Sequence, residues 1–381
     1  MSPPVEIEPS ALTDVVASAI GRPAIELGRW EARSIHAPFN QATGGLYRVA
    51  GTANDGYERI SWSVILKVLH ASSDLFGGAT DPSDASYWAR EALLFASGLL
   101  EHLPAIRAPR CFGVDMRADA TARIWLEDVA DHVGIHWAPP RYALAARRLG
   151  EFNGAYLVDQ PLPTSPHVSR HWLRSSVEAF VPGFDRLAEV RDHPLVRRCW
   201  PGELLDQVVE LWEERHVLLD ALDALPQSFC HLDAFPRNLL INPATNDIVA
   251  VDWASAGIAA VGTELGPAVM ASACVGDTEP DQLEAIERAV FDAYLSGLRA
   301  AGWPGDAETV RYGYAASAAL HYGLVPLGVY LLDDRLRLRF ERLFGLEALG
   351  IADHWAAISA FLVERSQEAR RLLGSAARTS H

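Results

Sequence analysis

An α+β fold of two lobes, a small strand-rich N-terminal lobe and a larger, mainly helical C-terminal lobe, is predicted by the sequence. Three observations predict it. Short apolar runs broken by Gly, Asn and Asp crowd the first third of the chain. Helical periodicity dominates after Pro139-Pro140. A length of 381 residues, 49% of them apolar, is more than one small core needs and suits two.

The elements follow in order. Pro9 to Ile20 reads as a short amphipathic helix on an N-terminal extension. From Leu27 to about Val68 the pattern is that of strands, with Gly44-Gly45 and Asn54-Asp55-Gly56 as turn signals. Asp81-Pro82-Ser83-Asp84 precedes a helical stretch from Ala85 to Leu100, and Arg110 to Val114 and Ala122 to Leu126 read as two further strands. Helices are expected over Arg141 to Leu157, Leu204 to Leu225, Gln282 to Arg299 and much of the chain from Val310 onward. The lobes are expected to be 1–127 and 128–381. Asp159 to Pro201, rich in Pro, His, Arg and Trp, reads as an irregular insertion, either a surface packing loop or a cover over a site. No internal repeat or low-complexity segment interrupts this plan.

Composition narrows the function. A formal net charge of −16 repels nucleic acid and anionic membranes, so neither is an expected partner. No apolar run reaches the ~18 residues of a membrane span. Met1 to Gly21 carries Glu6 and Glu8 and lacks the basic start of a secretory signal. Cys111, Cys199, Cys230 and Cys274 are scattered with no C-x-x-C pair, so reduced thiols and a cytoplasmic location are expected.

One segment concentrates chemistry. His231-Leu232-Asp233-Ala234-Phe235-Pro236-Arg237-Asn238 leads into the apolar run Leu239-Leu240-Ile241; turn residues Asn242 to Asp247 follow, then Ile248-Val249-Ala250-Val251 and Asp252. If the two runs pair as an antiparallel hairpin, the start of the first lies beside the end of the second. Asn238 and Asp252 then share one end of the ribbon. An amide oxygen and a carboxylate at one point suit Mg²⁺, which keeps waters and substrate phosphates as its other ligands. Asp233, on the loop entering the hairpin, is placed to orient an attacking hydroxyl and take its proton. His231 is expected to hold the loop through a backbone hydrogen bond. Alone, any of these residues reads as an Asx turn or a strand-end cap; their joint spacing favours function.

The pattern H-x-D-x-x-x-x-N, followed by a hairpin and Val251-Asp252-Trp253, resembles the catalytic and metal-binding segment of the aminoglycoside phosphotransferase family, small-molecule kinases of the protein-kinase-like fold. The resemblance implies that Asp233 is the base and that Asn238 and Asp252 hold Mg²⁺. It departs from the family's usual form in placing Leu232 where a Gly is common. Gly262-Thr263-Glu264-Leu265 looks like the family's G-x-x-x-x-D-L segment with Glu for Asp, and Glu264 is expected to be structural.

The first third is expected to supply the nucleotide site. Period-two alternation along Ser61 to Leu69 puts Ile65, Lys67 and Leu69 on one face, where a lysine is costly unless paired. Trp88, Glu91 and Phe95 share a helical stripe, which offers Glu91 as the partner. The pair matches the strand Lys and helix Glu that position phosphates in kinase-like folds. No full G-x-G-x-x-G is present; Thr43-Gly44-Gly45 is the candidate phosphate loop, with a plain hairpin turn as the other reading. By resemblance, the backbone around Glu127 and Val129 receives the nucleobase, with ATP or GTP as donor.

These readings point to a phosphotransferase acting on a hydroxyl of a small molecule such as an antibiotic, sugar or nucleoside. The alternative is a non-catalytic nucleotide-binding relative. A protein kinase is disfavoured, because D-F-G and A-P-E are missing and Trp253-Ala254 follows Asp252.

Overall fold

Alternating burial builds the first lobe. In the computed structural model, which describes residues 5–36, 42–72, 78–323 and 327–379, the helix α1 (Pro9–Ile20) precedes the strands β1 (Glu26–His36), β2 (Thr43–Asn54) and β3 (Arg59–His70). The short helix α2 (Arg90–Ala96) is followed by β4 (Cys111–Met116) and β5 (Thr121–Glu127). The five strands form one antiparallel sheet in the order β1-β2-β3-β5-β4. Leu12, Val15 and Val16 of α1 are buried against Val64 and Leu66 of β3, each such burial contributing about 1.5–3 kcal/mol. α1 therefore belongs to the lobe's core and is not an appended extension. The other face of β3, with Ile65 and Leu69, joins the large core of the second lobe. Lys67 lies on that face, between the lobes.

Two expectations change. The helix expected over 85–100 is only Arg90–Ala96, because residues before it turn back on themselves: Ala79 bridges Tyr87 and the Trp88 amide donates to the Ala79 carbonyl. The insertion expected to be irregular is mostly helical. After α3 (Pro139–Val158), it contains α4 (Trp172–Glu178), α5 (Val181–Val190) and α6 (Pro194–Cys199). Apolar residues at helical spacing, Trp172 with Val177, Phe184 with Leu187, and Val196 with Cys199, are buried; the Pro residues at the starts of α5 and α6 begin these helices where no backbone donor is needed.

The second lobe continues with α7 (Leu204–Asp223), β6 (Gln227–Cys230), the hairpin β7 (Leu239–Ile241) and β8 (Ile248–Ala250), and β9 (Gly257–Ala260), which pairs with β6. Then come α8 (Leu265–Cys274), α9 (Leu283–Ala300), α10 (Ala307–Gly323), α11 (Leu327–Tyr330), α12 (Asp334–Phe344) and α13 (Ala348–Thr379). α3 and α9 cross backbone to backbone: a Cβ on Gly297 would stand 2.1 Å from the Arg147 carbonyl oxygen, so only glycine fits. The base of the lobe is tied by a partly buried ion network in which Glu287 of α9 meets Arg311 of α10 at 2.9 Å and Arg365 of α13 at 2.6 Å. Among the described residues, no single helix is long and apolar enough to cross a membrane.

Candidate functional site

The hairpin and the loop before it assemble the site. β7 and β8 pair in register Leu239 to Ala250, and the Val251 amide donates to the Asn238 carbonyl at 2.9 Å. Asn238 and Asp252 therefore stand at the same end of the ribbon. The Asn238 side-chain amide donates to Asp233 twice, to its carbonyl at 2.9 Å and its carboxylate at 2.7 Å. Its nitrogen is thus committed to Asp233, and its side-chain oxygen is left for another partner.

Lys67 reaches this end from β3. Its ammonium lies 2.5 Å from Glu91 of α2 and 2.8 Å from Asp252. Burial opposes the charge on Lys67, but the two carboxylates outweigh it and raise its pKa. Burial also disfavours the Asp252 charge, yet Lys67 holds that carboxylate below its ordinary range. Glu91 is almost fully enclosed, and burial pushes it up against the pull of Lys67. Asp252 keeps 41% of its side chain exposed, so of the two carboxylates it is the one open to a ligand.

Burial, and then repulsion from Asp252, push the Asp233 carboxyl well above the usual range, against the hydrogen bond from Asn238. His231 is enclosed, and burial lowers it to about 4, so it is neutral at pH 7. Its Nε2 donates to the Val251 carbonyl at 3.0 Å and its Nδ1 accepts the Asp233 amide at 3.3 Å. With both nitrogens used, His231 clamps the loop and has no free nitrogen to act as a base.

Leu232 occupies the left-handed region at φ 64°, at a cost of about 1–2 kcal/mol for a residue with a Cβ. Two contacts hold it there. The Glu264 carboxylate accepts the amides of His231 at 2.7 Å and Leu232 at 3.0 Å. The Leu232 side chain is buried with Trp172 of the insertion and with Ala259 of β9. Burial pushes Glu264 up to about 7, with the two amides opposing.

Other sequence candidates are placed differently. Thr43, Gly44 and Gly45 are the first residues of β2, where Thr43 pairs with Leu69 and Gly45 with Val68; residues 37–41 lie outside the described residues. A Cβ on Gly45 would stand 2.4 Å from the Tyr47 ring, so that glycine makes room for an aromatic side chain. The Glu127 carboxylate is bound to Arg107 at 2.7 Å and to the Arg110 amide at 3.1 Å. Glu127 and Val129 nevertheless line a cleft of about 220 Å³, walled by Arg107, Asp128 and His132 and, from the hairpin, by Leu240 and Val249. Arg48 of β2 closes a bidentate pair with Asp128, at 2.8 and 3.0 Å, and Ser63 also bonds Asp128. Leu240 and Val249 escaped sequence reasoning because an apolar pair in a hairpin looks like core.

The insertion also meets the site. His321 of α10 bonds the Ser176 hydroxyl of α4 at 2.9 Å and packs on Trp172 with ring centres 4.7 Å apart. Burial lowers His321 to about 4. Between pH 6.5 and 4 the unfolded chain binds a proton here that the folded chain excludes, so this contribution to stability is lost as pH falls through that window. The stability gap between wild type and His321→Asn should therefore narrow by on the order of 2 kcal/mol from pH 7.5 to 4.5. Urea unfolding at both pH values measures it; a gap that does not change with pH contradicts the assignment.

Residues 49–305 match the family model described as a phosphotransferase enzyme family. Among solved structures, a microcompartment-associated aminopropanol kinase superposes with a TM-score of 0.54 at 13% identity, over 96% of this chain and 100% of its own. An amicoumacin kinase in complex with AMP-PNP, Ca²⁺ and Ami gives 0.52 at 11% identity, over 96% and 94%. An aminoglycoside phosphotransferase from Alicyclobacillus acidocaldarius gives 0.51 at 14% identity, over 97% and 98%. At these identities the likeness is one of fold. No curated protein matches the chain in sequence.

Proposed function

The chain belongs to the phosphotransferase enzyme family, and from that membership we propose that it moves the γ-phosphoryl group of ATP or GTP onto a hydroxyl of a small molecule, with Asp233 as the base. One observation carries the reading. Lys67 is shared between Glu91 and Asp252 at the end of the hairpin where Asn238 holds Asp233. A cation, a metal-binding carboxylate and a base thus converge from both lobes.

Each residue has a distinct task. Lys67, steadied by Glu91, binds phosphate oxygens. The cleft between Val129 and Leu240 receives the nucleobase, with the lobe boundary just after Glu127. Asp252 and the free oxygen of Asn238 are a hard donor set that fits Mg²⁺, and two protein ligands leave room for water and phosphates. The ion, when bound, neutralises charge on the transferring group. Asp233 accepts a hydrogen bond from the acceptor hydroxyl, orients it and takes its proton. As the hydroxyl oxygen bonds to the γ-phosphorus, the bond to the β–γ bridging oxygen breaks and the nucleoside diphosphate leaves; the hydroxyl proton goes to Asp233, and the γ-phosphoryl ends as an ester on the acceptor.

The acceptor is read as a hydroxylated antibiotic, sugar, nucleoside or amino alcohol. The acidic pair Asp333-Asp334 is exposed at the start of α12, where Asp333 caps the helix and Asp334 pairs with Arg337. Four unbridged thiols suit a reducing cytoplasm. The test is coupled nucleotide consumption across a panel of such acceptors with ATP and with GTP. Acceptor-dependent release of the diphosphate is expected. Nucleotide binding without consumption across the whole panel would favour the non-catalytic alternative.

A further inference from the structure

We infer that Arg90 is a positioning residue that holds Asp252 in its working conformation from the other lobe. The inference rests on the reading of Asp252 as a metal ligand. Arg90 opens α2 and has no exposed surface. Its guanidinium donates to five backbone carbonyls: Ala85 at 2.7 Å, Asp84 at 2.6 Å, Pro82 at 3.3 Å, His167 at 3.2 Å and Ala254 at 2.9 Å. None of these acceptors carries a formal charge. A buried cation satisfied only by carbonyls is an expensive way to stabilise a fold, and its acceptors come from three separate segments. They are the turn before α2, the insertion, and the residues just after Asp252.

The last of these segments explains the arrangement. Asp252 sits at φ 62°, ψ 68°, in the left-handed region. A residue with a side chain stays there only if its surroundings hold it. The one-turn helix Trp253–Ser255 follows it directly. Glu91 accepts the Trp253 amide at 3.3 Å, and its neighbour Arg90 donates to the Ala254 carbonyl. Two consecutive residues of one N-lobe helix therefore grip the two residues that follow Asp252. On the far side, Trp253 is anchored within its own lobe through Nε1 to the Ala250 carbonyl at 2.7 Å, and Ser169 of the insertion donates to the Ala256 carbonyl at 3.4 Å. Arg90 connects all of this to His167, so the insertion and α2 brace the same turn. Lys67 sets the charge of Asp252; Arg90 sets its backbone.

Amide hydrogen exchange of the metal-free, nucleotide-free protein tests this without relying on activity. Arg90→Met keeps length and apolar bulk but removes every donor. It is expected to speed exchange across 251–256 by at least about tenfold, the factor that corresponds to 1.4 kcal/mol of local opening, while β6 and α8 keep wild-type protection. In a Mg²⁺ titration with bound nucleotide, followed by thermal shift, the half-saturating concentration should rise about 10–100-fold, the usual effect of losing a residue that orients a metal ligand. Arg90→Lys has one donor nitrogen for five carbonyls and should show an intermediate effect on both readouts. If Arg90→Met unfolds, Arg90→Lys decides. Wild-type exchange over 251–256 in the folded variant, or faster exchange spread evenly over the whole chain, overturns the inference. Local loosening in a protein that shows no turnover would leave Arg90 in place and sink only the kinase reading of the site.

Discussion

Asp233→Asn is expected to lower turnover by about 10²–10⁴-fold, the usual contribution of a general base, with nucleotide affinity close to wild type. In free-energy terms the loss is about 3–5 kcal/mol of transition-state stabilisation. Phosphoryl transfer has a loose transition state, so the residue's work is to orient the hydroxyl and take its proton late. Asparagine keeps the shape and the contact with Asn238 but cannot accept that proton. Asp252→Asn removes a charge from the same end of the same hairpin, yet a different result is expected. It takes away half of the Lys67 clamp and a metal ligand, so Mg²⁺-dependent nucleotide binding should fall together with turnover. Steady-state kinetics alongside nucleotide titration separate the two outcomes. Normal turnover in Asp233→Asn beside a dead Asp252→Asn would make Asp233 a turn residue and put the base elsewhere.

Lys67→Ala is expected to abolish most turnover and also to cost stability. The fold itself should stay intact. The stability cost comes from burial: Lys67 is enclosed, and so is Glu91 at 1% exposure, so removing the cation strands a buried carboxylate. Breaking a buried pair from one side costs about 3–5 kcal/mol. Part of this is recovered at low pH, where Glu91 takes up a proton. The double variant Lys67→Ala/Glu91→Leu tests the partition, because an apolar pair removes the stranded charge. Its midpoint of denaturation should return most of the way to wild type, while turnover stays low because no cation meets the phosphates. If Lys67→Ala alone keeps both wild-type stability and wild-type turnover, another group holds the phosphates and the role given to the β3 lysine fails.

The parts of the site that were legible in the sequence share one property: their geometry follows from local rules. A hairpin brings its two ends together whatever surrounds it, so Asn238 and Asp252 were located by counting along β7 and β8. Period-two alternation put Lys67 on the face of β3 away from Val64 and Leu66, and a lysine among apolar neighbours demands an acid. The errors have local causes too. Ala85 to Ala89 carry helical residue types, but the turn that receives Arg90 kept them out of α2. The insertion's richness in Pro, His, Arg and Trp hides its helices, two of which begin at prolines.

The sequence by itself determined the class of fold and which polar residues meet at the end of the hairpin, because strand alternation and hairpin pairing act over a few residues and need no knowledge of the rest. Tertiary structure alone decided how that end is held. Arg90 reaching His167 and Ala254, Glu264 receiving the amides of His231 and Leu232, and Trp172 covering Leu232 are contacts between segments far apart in the chain. No periodicity announces such contacts. They arise because a buried charge must find polar partners, and a strained backbone must find walls, wherever the folded chain happens to bring them.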